Sequence, residues 1–241
     1  MKQLDGKVAI VTGASRGIGK AISIGLAQAG ASLVLAARTI ADLEKTRAEV
    51  IKYGVPAEIV PTDVTREEQI EDMFKRTMER FGRVDILVNN AGIFINEPIE
   101  QMSTETWDRV IDIELRAPFI CTRAAFGIMR KQGGGRIINI GSISAQRVRP
   151  NTAPYNCAKF GLVGLTHTTA LEGRPFGITC GCLHPGVTGD LIKNAAQEHP
   201  EPMMSYEATA ATAVYMACQP PDVNILELIQ LPINQPYLGR G

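Results

Sequence analysis

Thr12-Gly13-Ala14-Ser15-Arg16-Gly17-Ile18-Gly19 is the stretch on which the fold turns. It follows a β-branched apolar run at 8–12 and passes directly into Lys20-Ala21-Ile22-Ser23-Ile24-Gly25-Leu26, whose apolar residues recur at helical spacing. A glycine-rich turn between strand and helix aims backbone N–H groups and the positive end of the helix dipole at one point, the arrangement that holds a diphosphate. The spacing is Gly-x-x-x-Gly-x-Gly, not the Gly-x-Gly-x-x-Gly of most dinucleotide folds.

Outward from this turn, apolar runs at 8–12, 32–36, 57–61, 84–88, 136–140, 178–183 and 225–230 read as strands. Most are continuously apolar rather than alternating, as strands buried on both faces require. Segments with helical periodicity lie between them, at 17–29, 41–52, 66–81, 104–131, 152–173 and 207–218. This alternation predicts an α/β fold: a doubly wound, seven-stranded parallel sheet flanked by helices, in a single domain spanning 1–241. The Gln132-Gly133-Gly134-Gly135 stretch reads as a helix C-terminal turn rather than a linker.

The composition narrows the function. The chain has 241 residues, 45% apolar and 21% charged, with 25 basic and 25 acidic side chains and no net charge. Nothing supplies the positive field that nonspecific binding to nucleic acid or an anionic membrane needs. No apolar stretch approaches the ~18 residues of a membrane span. The N-terminus carries no secretory signal pattern, so a cytoplasmic protein is expected. The five cysteines lack CxxC spacing and read as small buried hydrophobes. The three histidines are scattered, without the i, i+4 pairing of a metal site, and no metal is expected.

The tip of the second strand, Leu35-Ala36-Ala37-Arg38-Thr39, lacks the Asp or Glu that grips the adenosine ribose of NAD. Arg38 and Arg16 instead offer two guanidiniums for a 2′-phosphate. The expected cofactor is therefore NADP(H) in preference to NAD(H).

Three further motifs follow in order: Asn89-Asn90-Ala91-Gly92 after the fourth strand, Gly141-Ser142 after the fifth, and Tyr155-Asn156-Cys157-Ala158-Lys159 on the next helix. With the glycine turn, this set resembles the short-chain dehydrogenase/reductase family from about residue 5 to 218. Tyr155 and Lys159, at i and i+4, share one helical face. A tyrosine ordinarily ionises near pH 10, so serving as a base near neutrality needs ~3 units of lowering, roughly 4 kcal/mol, which an adjacent ammonium supplies. The resemblance implies Tyr155 as acid/base, Ser142 hydrogen-bonded to the substrate oxygen, and Lys159 also on the nicotinamide ribose. It further implies cofactor contacts at Gly13, Ser15, Arg16, Gly17, Ile18 and Gly19, at Arg38, and at Asp63 and Val64 beside the adenine. Asn90, Ala91 and Gly92 would line the cofactor, with Pro185, Gly186, Val187 and Thr188 completing the set, while Asn89 would tie neighbouring strands together.

Two positions depart from the family pattern. Where relatives place an asparagine whose carbonyl holds a water feeding protons to the lysine, this chain has Glu114 in Val110-Ile111-Asp112-Ile113-Glu114-Leu115. Glu114 either supports the relay or pairs with Lys159 and cancels part of its field at Tyr155. At ~8 Å and an effective dielectric near 20 one charge is worth about 2 kcal/mol, or roughly 1.5 pKa units. In His184-Pro185-Gly186-Val187-Thr188-Gly189-Asp190-Leu191, Asp190 stands where relatives carry a threonine for the nicotinamide carboxamide. Residues 187–206 read as a substrate lid. Residues 231–241, too apolar and proline-rich to continue the sheet, read as a tail that either packs on a neighbouring subunit or is loosely ordered.

The function these readings imply is NADP(H)-dependent interconversion of a carbonyl compound and its alcohol. The pocket would be formed by Ile93, Phe94, Ile95 and residues 144–154 in a homodimer or homotetramer, with no nucleic-acid or membrane partner. Two alternatives stand beside it. One is a dinucleotide-binding protein whose catalysis is weakened by Glu114. The other is a 3-ketoacyl carrier-protein reductase, for which Arg147 and Arg149 are the candidate docking cations.

Overall fold

The computed structural model describes residues 2–190 and 201–236. The sheet strands are β1 (Val8–Thr12), β2 (Ser32–Ala37), β3 (Ala57–Pro61), β4 (Ile86–Asn89), β5 (Gly135–Ile140), β6 (Ile178–Pro185) and β9 (Glu227–Gln230). All pair in parallel, in the order β3-β2-β1-β4-β5-β6-β9. The chain works outward from β1 to β3, then returns to β1's other side with β4. The order thus reverses between β1 and β4, and the crevice outside their carboxyl ends is where a doubly wound sheet receives its ligand. Two short strands, β7 (Thr188–Gly189) and β8 (Met204–Ser205), pair separately at the two ends of the segment read as a lid. Residues 191–200 of that segment lie outside the described residues.

Strand side chains alternate between two cores. Ala9, Val11, Leu33, Leu35, Ile138 and Ile140 point to one face, where α1 (Gly17–Gln28), α2 (Ile40–Val50) and α7 (Tyr206–Ala217) cover them. Ile10, Val34, Leu87 and Ile137 point to the other, under α3 (Glu67–Phe81), α5 (Ala117–Gln132) and the end of α6 (Ala153–Gly173). Because both faces are covered, the strands need apolar residues at successive positions, and β1 is buried throughout. Cys121, Cys180 and Cys182 are buried as expected, whereas Cys157 is exposed on α6.

The helix expected at 104–131 is not continuous. It divides into α4 (Thr104–Ile111) and α5, joined by a π-helical turn at Asp112–Arg116 in which the Ala117 N–H reaches the Asp112 carbonyl. Pro118 has no N–H to return to the carbonyl of Glu114 four residues earlier, which removes one α-helical bond at the point where the turn widens. Glu114, in this widened turn, is buried.

The opposite end of the sheet is tied by Asp85. Its carboxylate accepts from the Val8 N–H (3.0 Å) and from the Arg83 guanidinium (2.6 Å to each oxygen), with Lys7 at 3.3 Å. Burial alone pushes the Asp85 carboxyl up, but these donors together hold it below the ordinary aspartate value of 3.8. Its contribution is therefore present above that value and lost as pH falls through the lower folded value. Asp85→Asn is expected to cost about 2 kcal/mol at pH 7 in urea denaturation, with the gap from wild type closing in strong acid.

Candidate active site

The glycine turn leaving β1 and the Asn90 loop leaving β4 meet across the switch point. Thr12 Oγ1 accepts from the N–H groups of Asn90 (3.0 Å) and Ala91 (3.1 Å), and the Asn90 amide donates to the Thr12 carbonyl (2.9 Å). Gly13 adopts φ +66, and a Cβ there would stand 2.9 Å from the Ala91 Cα, so the two loops touch only because residue 13 has no side chain. From the α2 side, Thr46 Oγ1 donates to the Ala14 carbonyl (3.0 Å).

A cleft of about 1070 Å³ opens along this junction. Gly13, Ser15, Arg16, Gly17, Ile18, Gly19, Arg38, Asp63, Val64, Asn90, Ala91 and Gly92 all line it. The N-terminus of α1 points into it with no side-chain cap and no acid in its first turn. That leaves N–H groups and dipole without an internal anion, which fits an external diphosphate. At the β2 end, the carboxylates nearest Arg16 and Arg38 are already engaged: Asp42 bonds Lys45 (2.8 Å), and Asp63 accepts from the Thr65 N–H (3.0 Å) and hydroxyl (2.8 Å). Burial raises the Asp63 carboxyl, but the two Thr65 bonds and the Arg38 charge outweigh it and hold the group below the usual aspartate range.

Beside Gly92, at the wall of this cleft, stands a buried ion pair. Lys159 Nζ lies 2.9 Å from Glu114 Oε2, with side chains 7% and 2% exposed. Lys159 also donates to the Ile140 carbonyl (2.8 Å), and Glu114 Oε1 accepts from the Ile93 N–H (2.6 Å). The pair thus joins α6, β5, the π-helical turn and the loop after β4. Burial alone would pull the Lys159 ammonium down, but the Glu114 carboxylate, and Tyr155 after it, more than offset that and hold it above the ordinary lysine value. Lys159 sits 5.4 Å from the centre of the Tyr155 ring, and Phe94 packs edge-on against the same ring with centroids 5.3 Å apart.

Ser142 caps the short helical turn Ile143–Ala145, its Oγ accepting from the Ser144 N–H (3.1 Å). Its carbonyl is held 3.0 Å from Nδ1 of fully buried His184. A carbonyl only accepts, so the ring proton lies on Nδ1. Burial pushes His184 below the ordinary histidine value despite the Ser142 carbonyl and Glu227, 3.2 Å away.

The structure brings the glycine turn, Arg38, Asp63, Val64 and Asn90–Gly92 into one cleft, and Glu114, Lys159 and Tyr155 into one cluster beside it. Pro185, Gly186, Val187 and Thr188 do not line the cleft. They stand at the end of β6, where the Val187 N–H is taken by Gln235 Oε1 (3.1 Å) and the Thr188 hydroxyl by the Gly186 carbonyl (3.1 Å). Sequence reading missed Tyr206, which opens α7 and lines the cleft over Gly17, and Asp108 and Arg109 of α4 at its edge. Only the cap signal of Ser205 just before Tyr206 marks that position in the sequence. Asn89, expected to be structural, bridges Asn139 (2.9 Å) and Thr122 (3.2 Å) between β4, β5 and α5.

Comparison with known proteins gives a consistent result. The family model described as short chain dehydrogenase matches residues 7–210. A 3-oxoacyl-[acyl-carrier-protein] reductase of Synechocystis sp. is 36% identical over 231 residues, covering 91% of this chain and 92% of the relative. A D-beta-hydroxybutyrate dehydrogenase of Rhizobium meliloti is 41% identical over 183 residues, covering 75% and 70%. A crystal structure of a metagenomic short-chain oxidoreductase in complex with NADP superposes with TM-score 0.85 at 32% identity, covering 95% of this chain and 98% of that one.

Breaking the ion pair from one side strands a charge where water cannot reach it. Glu114→Leu alone is expected to cost about 3–5 kcal/mol, and Glu114→Leu combined with Lys159→Met to recover most of that loss, as read by chemical denaturation.

Proposed function

The chain belongs to the short chain dehydrogenase family, and on that premise we propose that it is an NADP(H)-dependent oxidoreductase interconverting a carbonyl compound and its alcohol, with Tyr155 as acid/base. The observation that carries this reading is the clamped position of Lys159 beside Tyr155, next to a cleft whose helix N-terminus lacks an anion.

The glycine turn and α1 would hold the diphosphate, and Arg16 with Arg38 the 2′-phosphate. The cofactor's contribution, when bound, is to give or take hydride at the substrate carbon. Tyr155 delivers the proton to the substrate oxygen in reduction and removes it in oxidation, while Ser142 hydrogen-bonds that oxygen and keeps it in line. Lys159 supplies the positive charge near the phenol. Glu114, 2.9 Å from the ammonium, offsets part of that charge. Ile93, Phe94 and Ile95 give the substrate side an apolar wall, which suits a small or medium-sized carbonyl compound.

A second reading, reduction of a 3-oxoacyl group on a carrier protein, is favoured by the 36% identical relative that bears that name. Of the cations expected to dock the carrier, Arg149 is committed to Glu201 at 2.7 Å, so the simpler carbonyl substrate stands first. An NADPH oxidation assay across ketones, aldehydes and ketoacyl thioesters distinguishes the two.

In that assay Tyr155→Phe is expected to lower kcat/KM by roughly 10²-fold or more, and wild-type rates across the panel that equal those of Tyr155→Phe would end the proposal. Arg38→Ala is expected to weaken NADPH about tenfold and to leave NADH within about twofold, since only the 2′-phosphate contact is removed. Titration followed by cofactor fluorescence reads both constants, and equal losses would remove the NADP preference.

A further inference from the structure

The tail after β9 returns to the loop after β6. Pro232 to Gln235 form a tight turn, the Gln235 N–H donating to the Pro232 carbonyl (2.9 Å) with Ile233 at its exposed apex. The turn buries the Gln235 side chain against the Gly186 loop. There its two amide atoms do different work. Oε1 accepts from the Val187 N–H (3.1 Å), and Nε2 donates to Glu201 Oε2 (3.2 Å). The same Glu201 oxygen receives the Arg149 guanidinium (2.7 Å), and the Arg149 carbonyl is held by Asn156 (2.9 Å) and Thr152 (3.0 Å) at the head of α6, beside Tyr155. The fit extends to the backbone, since a Cβ on Gly186 would stand 2.1 Å from Gln235 Oε1. One chain of contacts therefore runs from the helix of the acid/base tyrosine, through Arg149, Glu201 and Gln235, to the loop after β6.

Only an amide performs this task. A carboxylate at 235 would still accept from Val187 but would face the Glu201 carboxylate without a proton to share. An alkyl side chain would leave the Val187 N–H unpaired, and an unmet buried donor is costly. Both partners, Glu201 and Val187, lie at the ends of the segment joined by the β7–β8 pair. Gln235 thus ties Val187 at the start of that segment to Glu201 near its other end.

We propose that Gln235 is a positioning residue for the nicotinamide half of the cofactor, holding the Gly186–Val187–Thr188 loop in register with Tyr155 by bridging Val187 to Glu201. This rests on the proposed function and on the cofactor contacts that the family resemblance implies for Gly186, Val187 and Thr188, with the glycine turn and Arg38 receiving the adenosine end. The two ends are separable by ligand: NADPH reports on both, whereas 2′-phospho-ADP-ribose reports on the adenosine end alone.

The test is calorimetric titration of the full chain with each ligand, in wild type, Gln235→Leu and Gln235→Glu. Gln235→Leu is expected to lose about tenfold in NADPH affinity, with the fragment within about twofold. Gln235→Glu, which sets a second carboxylate against Glu201, is expected to lose NADPH affinity likewise. Equal losses for both ligands, or unchanged NADPH binding in Gln235→Leu, would each overturn the proposal while leaving the cofactor reading intact. A wild-type protein that binds neither ligand would overturn the cofactor reading and this proposal with it.

Discussion

Lys159 and Glu114 meet at 2.9 Å where neither is solvated, and the walls of the site are arranged around that contact. Two buried charges of opposite sign are tolerable only together and only with their remaining hydrogen-bonding capacity met. Here the Ile140 carbonyl meets it for the lysine and the Ile93 N–H for the glutamate. The pair consequently fixes the end of β5 and the loop after β4 on either side of Tyr155. A neutral residue at 114 would leave the buried ammonium without its counter-charge; the carboxylate reaches it directly.

The pair lies where it does because the chain reverses its strand order between β1 and β4 and because the helix opposite is interrupted. The reversal separates the loops after those strands far enough to open the cleft, while Thr12 and Asn90 stitch their bases together. The π-helical turn brings Glu114 to the inner side of the α4–α5 unit, facing α6. His184 beneath Ser142 and Gln235 over Gly186 act at the neighbouring loops in the same manner, each satisfying one backbone group at a strand's carboxyl end. The site is thus a set of loops whose positions are decided by side chains that do not themselves touch a substrate.

How much of this was legible in the sequence depended on whether the signal was local. The glycine turn, the apolar strands and the i, i+4 spacing of Tyr155 and Lys159 are chemistry of adjacent residues, and the sheet and cleft follow from them. The break at Asp112–Arg116 was passed over because Val110, Ile113, Ala117 and Ile120 keep helical periodicity across it; Pro118 was the one local signal of a lost bond. Glu114 stood out as unusual, but two outcomes, relay or ion pair, were equally open until the fold brought Lys159 to it. The tail gave no warning at all, because Gln235 and Val187 are 48 residues apart and their contact depends on a turn after an edge strand.

The measurement closest to the central claim is the pH dependence of kcat/KM, for carbonyl reduction and for alcohol oxidation, in wild type and Glu114→Gln. If the Glu114 charge offsets Lys159 beside the reacting group, wild type turns over in both directions, and removing the charge moves the limbs of both profiles to lower pH. Limbs that stay in place, or turnover by Glu114→Gln alone with an inert wild type, would contradict the account; the second result would mark a cofactor-binding protein whose proton transfer Glu114 has switched off.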